Sequence, residues 1–301
     1  MKKEFIDIHA HAYWRPPHFL SGFYNPEQLI AAFDELGIEK GCLLPIVSPE
    51  IYMPQAVEDI IEICHTYPDR FIPYCNIDPR CYWNSPNAPL DEIMLHYKAL
   101  GCKGVGEVMP NMRMDDPMVQ NLFRCAAKAG LPIVYDGSTQ TSCDFGLYDD
   151  PGLPILENTL LQFPNLKIFG HGPVFWSEIG KLHTVAERGV IMDPYGQQFM
   201  NLPKGPIEEE GTVPRLLRKY PNLCGDLSDG TAYNAIARDE FYGPRFLSEF
   251  EDRLYFGTDM CFPTMEVKLD QLLLHWRETG KISETTFRKI AYENAEKLLG
   301  L

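Results

Sequence analysis

The stretch Phe5-Ile6-Asp7-Ile8-His9-Ala10-His11 reads as a short, largely apolar strand that ends in two histidines. Side chains two residues apart on a strand point the same way, so His9 and His11 are placed to converge on one ion. Asp7 then shares their face one step deeper, which suits orienting a ligand rather than touching the ion. Alone, His-x-His is equally compatible with a solvated or structural pair. Its meaning depends on whether other strands end in the same place.

Seven further runs match it: GCLLPIV (41–47), RFIPYCNI (70–77), CKGVGEVM (102–109), LPIVYD (131–136), LKIFGH (166–171), NLCGDLS (222–228) and RLYFGTD (253–259). All are short and mostly apolar, and helical patterns separate them. Asn25 as N-cap, Pro26 in the first turn, Gln28 closing a capping box and Gly37 after the last turn predict a helix over 26–36. Asp116 and Pro117 open another, with Met118, Leu122, Cys125, Ala126 and Ala129 on one face and Gly130 at its end. Near-continuous apolar strands alternating with helices imply parallel pairing with both faces covered. Eight such units in 301 residues suit an α/β fold of the closed (β/α)8 TIM-barrel type, one domain over 1–301. An open doubly wound sheet is the alternative, but no G-x-G-x-x-G follows the first strand.

Composition narrows the function classes. With 27 basic and 42 acidic residues the formal charge is −15, and no basic cluster offsets it, so nucleic acid is not an expected partner. No apolar run has the length of a membrane span. The nine cysteines include no C-x-x-C pair and mostly lie in apolar runs, which predicts free thiols and a cytoplasmic setting. The four-residue apolar run after Lys2 and Lys3 is too short for a signal peptide.

Barrel enzymes place catalytic groups at the carboxyl ends of their strands. Here those ends carry His9 and His11, Glu107, Asp136, His171 and Asp259. Each has a plain alternative: Glu107 as a partner of Lys103 or Arg113, Asp136 as a turn residue before Gly137, His171 as a satisfied core group, Asp259 as an N-cap. Tyr13, Trp14, Trp176 and Tyr195 could wall a substrate pocket or pack in the core. Arg238 could hold a substrate carboxylate with its planar fork or make an ordinary loop salt bridge. The histidines at 18, 65, 96, 183 and 275 lack partners at ligand spacing and read as structural or exposed.

The motifs FIDIHAH, KIFGHGP, DLS, YFGTD and the tail FRKIAYENAEKLLGL together resemble the amidohydrolase superfamily over the whole chain. The likeness is closest to the amidohydrolase-related branch, which includes metal-dependent hydrolases and carboxy-lyases of the aminocarboxymuconate-semialdehyde decarboxylase type. The resemblance implies a divalent metal ion, with His9 and His11 as first-strand ligands, His171 as the sixth-strand histidine and Asp259 as the eighth-strand aspartate. Where many relatives end strand five with a histidine, this chain has Asp136. Either Asp136 or Glu107 can complete the shell, Asp136 otherwise orienting a histidine from outside it. Zinc is the first expectation; an oxygen-richer shell moves preference toward manganese or iron.

Two activities fit these residues. The leading expectation is hydrolysis of a small organic ester, lactone or amide, with Asp259 or His171 handling protons. The alternative is non-oxidative decarboxylation of a small carboxylic acid. A binding module on the same scaffold is a third class, since fold does not fix function. The long connection 172–211 is expected to wall the pocket through Trp176 and Tyr195 and to contact a neighbouring subunit, making a homo-oligomer.

Overall fold

The structure is a computed structural model that describes residues 4–16, 22–51, 53, 55–192 and 198–301. Eight parallel strands follow the predicted runs: Phe5–Ala10 (β1), Ile38–Leu43 (β2), Phe71–Pro73 (β3), Val105–Val108 (β4), Ile133–Ser138 (β5), Ile168–His171 (β6), Leu223–Asp226 (β7) and Leu254–Tyr255 (β8). β1, β2 and β3 form one ladder, and β4 to β8 pair in chain order in another. A bridge between Cys75 and Val105 joins the ladders on one side, and one between Ala10 and Met260 joins them on the other. The ring is therefore closed.

Ile6, Ile8, Cys42, Leu44, Ile72, Tyr74, Val134, Phe169, Cys224 and Tyr255 come from seven of the strands and pack as one cluster inside the ring. Ala295 and Leu299 of the C-terminal helix Asn294–Leu299 join that cluster, so this helix plugs the end opposite the polar strand ends. A second, larger cluster, including Phe5, Leu29, Phe33, Leu122 and Ile133, lies between the strands and the helices. Strands buried on both faces are what the unbroken apolar runs implied. Strict alternation fails in β1, where Ile6 and Ile8 face inward and His9 does too. The pairing of β1 with β2 changes register between Asp7 and Ala10, and this irregularity turns both histidines to the axis.

The helix Pro26–Leu36 has the predicted caps: Gln28 N–H donates to the Asn25 side chain, Asn25 N–H donates to Gln28, and Gly37 adopts φ +72. Pro117–Ala129 likewise starts at Asp116 and ends at Gly130 with φ +64. The connection after β6 holds a helix Gly172–Ser177 and a single turn Val185–Arg188. Between them Gly180 pairs with Glu210 as a β-bridge, which draws the chain out of helix. An antiparallel pair, Gly189–Met192 with Gln198–Asn201, was not foreseen. Cys42, Cys64, Cys75, Cys81, Cys102, Cys125, Cys224 and Cys261 are free thiols, and no described helix is long and apolar enough to cross a membrane.

Candidate metal centre and active site

His9 and His11 meet at the carboxyl ends of the strands with their Nε2 atoms 3.2 Å apart. The partners of their other ring nitrogens decide the tautomers. His11 Nδ1 lies 2.8 Å from the carbonyl oxygen of Leu44, which can only accept, so Nδ1 carries the proton. His9 Nδ1 lies 2.6 Å from Asp226 Oδ2, again an acceptor. Both Nε2 lone pairs are thereby left facing one point.

Two carboxylates face the same point. Asp259 Oδ1 is 3.1 Å from His11 Nε2 and 3.5 Å from His9 Nε2; Glu107 Oε2 is 3.4 Å from His9 Nε2 and 3.6 Å from His11 Nε2. Donor atoms at about 2.1 Å from an ion, near tetrahedral angles, are about 3.4 Å apart. Four converging acceptors fit a divalent cation, and two carboxylates with two neutral imidazoles balance its charge. The field has the matching sign. Burial opposes charge on His9, yet Asp226, Glu107 and Asp259 outweigh it and hold its pKa well above the usual value. Burial likewise opposes the charge on Asp259, but His9, His11 and His171 hold its carboxyl well below the usual range.

Asp136 stands apart from this quartet. It groups with Glu107 and His171, and Gly137 N–H donates to its Oδ1 at 2.7 Å. Burial and the neighbouring Glu107 push its carboxyl well above the usual range. Glu107 has neither of the partners considered from sequence: Arg113 pairs with Asp115, and no ion pair joins Lys103 to it among the described residues. Asp7 accepts from the N–H groups of His9 and Thr258 and from the Thr258 hydroxyl, so it ties β1 to the end of β8 without reaching the quartet.

His171 directs Nε2 toward Glu107 Oε1 at 3.4 Å, while Ser228 Oγ lies 3.0 Å from its Nδ1. Asp226 and Ser228 are the residues that sequence reasoning missed. The signal was present, because GDLS ends strand seven with an aspartate as the other strands end in polar groups. Ser228 N–H donates to Asp226 Oδ1, and the two side chains link His9 to His171.

A cavity of about 400 Å³ opens beside these groups. Its polar lining residues are Glu107, Asp136, Thr139, Asp144, His171, Asp229 and Asp259; its apolar walls include Ile46, Ile51, Met53, Met109, Phe145, Phe262 and Met265. No lysine or arginine is among the described lining residues. Of the aromatic residues expected from sequence, Tyr13, Trp14 and Trp176 are not among the lining residues. Trp176 is core, packed on Phe175 and Phe246, and its indole N–H donates to the carbonyl of Asp226 at 2.8 Å. Trp14 packs beside Tyr67, Tyr13 is buried against Phe23 behind the wall residues Ile46, Met53 and Met109, and Arg238 lines a separate cleft with Lys181 and His183. Tyr195 and His18 fall outside the described residues; His65, His96, His183 and His275 are exposed. The connection after β6 contributes Gly172, Pro173 and Val174 to the cavity.

Comparison with known proteins agrees with this architecture. Residues 6–301 match the family model described as amidohydrolase. Among solved structures, an uncharacterized TIM-barrel protein from Bordetella bronchiseptica superposes with TM-score 0.64 at 16% identity, covering 98% of each chain. A probable 2-pyrone-4,6-dicarboxylic acid hydrolase from Acinetobacter baumannii gives 0.59 at 13% identity, covering 99% of this chain and 100% of that one. A 5-carboxyvanillate decarboxylase from Novosphingobium aromaticivorans, complexed with manganese, gives 0.58 at 19% identity, covering 92% and 81%. No curated protein matches the sequence.

Proposed function

The chain belongs to the amidohydrolase family, and from that premise we propose that it is a metal-dependent decarboxylase of a small, largely apolar carboxylic acid. The observation that carries the reading is the lining of the cavity. Its walls are apolar, its polar end is acidic, and no described lining residue is a lysine or arginine. A substrate bearing several carboxylates, such as the dicarboxylic acid in the name of the Acinetobacter structure, would have no cationic side chain to meet them. A single carboxylate directed at the His9–His11–Glu107–Asp259 quartet, with a flat apolar body against Met109, Phe145 and Phe262, matches both ends. The Novosphingobium decarboxylase supports the choice over hydrolysis, which the sequence placed first.

His9, His11, Glu107 and Asp259 would hold a divalent ion, which would supply positive charge to substrate oxygens. The donor set, with two imidazoles and two carboxylates, suits manganese or iron as well as zinc. Loss of carbon dioxide leaves the electron pair of the broken C–C bond on the carbon that bore the carboxylate, which then takes a proton. His171 is placed to deliver it: Ser228 and Asp226 engage Nδ1, and the residue lines the cavity beside Glu107 and Asp259. The apolar walls exclude water from the same carbon.

The test is a panel of aromatic and unsaturated monocarboxylic acids incubated with protein loaded with manganese, zinc or iron, assayed for carbon dioxide, beside a panel of esters, lactones and amides. Carbon dioxide from an acid, strongly reduced in His171→Asn with metal content retained, is the expected result. Turnover confined to the second panel would establish hydrolysis instead.

A further inference from the structure

We infer that the active-site cavity continues past Asp229 and Met265 into a second cavity, and that the two together take an acid whose apolar body carries an arm with an amine nitrogen that donates to Asp229. The inference rests on the decarboxylase reading and names its substrate more closely.

Asp229 and Met265 line both spaces: the cavity of about 400 Å³ beside the quartet, and another of about 370 Å³ formed by the segments that follow β7 and β8. Leu227, Val267 and Leu269 give the second space an apolar side. Lys268, the cation among its described lining residues, is paired with Glu266 at 2.7 Å. Of the two residues at the junction, Met265 is unbranched and adapts readily to a passing chain. Asp229 is the one that can choose between ligands.

The backbone at this junction is the reverse of what conformation alone would select. Asp229 takes φ +68, a left-handed value that strains an L side chain and costs glycine almost nothing. Gly230, next to it, lies in the helix Asp229–Ala237 with ordinary backbone, where alanine would be more stable, and a Cβ there meets nothing within 4 Å. A carboxylate is kept where glycine would be easier. A glycine is kept where a side chain would reach into the second cavity.

The Asp229 carboxylate has room for a donor. Among the described residues it is met by backbone N–H groups, Thr231's at 3.4 Å and Gly230's, and no lysine or arginine pairs with it. An ionised carboxylate can only accept, so a ligand group held at the junction must donate. A protonated amine also offsets charge there: the divalent ion is already matched by Glu107 and Asp259, and no described lining residue of the first cavity is a lysine or arginine. The chain beyond the nitrogen then lies against Val267 and Leu269.

The experiment is calorimetric titration of manganese-loaded full-length protein with benzoate, 4-(butylaminomethyl)benzoate and 4-(butoxymethyl)benzoate, the last two alike in length but with a donor nitrogen or an ether oxygen at the same place. In wild type the amine should bind about tenfold or more tighter than the ether. Asp229→Asn should remove most of that difference, and asparagine tolerates the same backbone. Gly230→Leu should weaken both armed acids relative to benzoate, since it fills the second cavity. A crystal structure of wild type with the amine should show the nitrogen at Asp229 and the butyl chain against Val267, which decides the matter even if a variant fails to fold. Binding of benzoate alone, equal binding of amine and ether, or an arm lying elsewhere would overturn the inference and leave the decarboxylase reading in place. Failure of all three acids to bind would overturn both.

Discussion

His9 Nδ1 lies 2.6 Å from Asp226 Oδ2, joining the first strand of the barrel to the seventh across 217 residues of sequence. Both side chains are fully buried. The contact keeps the proton on Nδ1 and leaves Nε2 as a lone pair directed at the quartet. Asp226 is held in turn, since Trp176 donates to its carbonyl and Ser228 N–H to its carboxylate.

Asp226→Asn should therefore weaken metal binding without touching the ion's own ligands. Loss of such a partner typically costs about 10–100-fold in affinity. Competition with a chelating dye measures it, and an affinity equal to wild type would show that His9 needs no such partner.

Metal removal should lower thermal stability. Without the ion, the folded chain loses the binding free energy of the His9, His11, Glu107 and Asp259 quartet. An ion at about 100 times its Kd adds about 2.7 kcal/mol. Differential scanning fluorimetry of chelator-treated protein should show a lower Tm that manganese or zinc restores, and an unchanged Tm would argue that the quartet holds no ion.

Gly172 and Gly205 share a φ of +79 but differ in surroundings. A Cβ at Gly205 meets nothing within 4 Å, whereas at Gly172 it collides with Asp136. Gly205→Ala should cost about 1–2 kcal/mol from backbone conformation alone, and Gly172→Ala markedly more. Chemical denaturation of the two variants compares them directly; equal costs would mean that Asp136 is free to move aside.

Asp149 gives a stability signal far from the quartet. Burial pushes its pKa up to about 6, against hydrogen bonds from the N–H groups of Ile155 and Leu156. Between the ordinary carboxyl value of about 4 and 6, the folded chain keeps a proton that the unfolded chain has released. This group therefore favours folding below about pH 4, and that contribution is lost as pH rises through 6. The Tm of wild type minus that of Asp149→Asn should fall from pH 4 to 6 and level off above 7. A difference that grew over that interval would contradict the assignment.

The sequence by itself determined the eight strands, the helices that Asn25, Gly37, Asp116 and Gly130 delimit, and the polar strand ends His9, His11, Glu107, Asp136, His171 and Asp259. These features are local: apolar runs, caps and turn residues act within a few positions, and the carboxyl end of each strand follows from its direction. Closure of the ring decided what meets what. Which of Glu107 and Asp136 faces the histidine pair, and that Asp226 reaches His9, depend on where strands four, five and seven stand around the barrel. The register change in β1 reverses the facing that alternation would assign. Trp14, Trp176 and Arg238 lie away from the cavity because an aromatic or cationic residue near a strand end has no intrinsic preference between pocket and core. The packing of helices on the barrel settles that choice, and no local pattern records it.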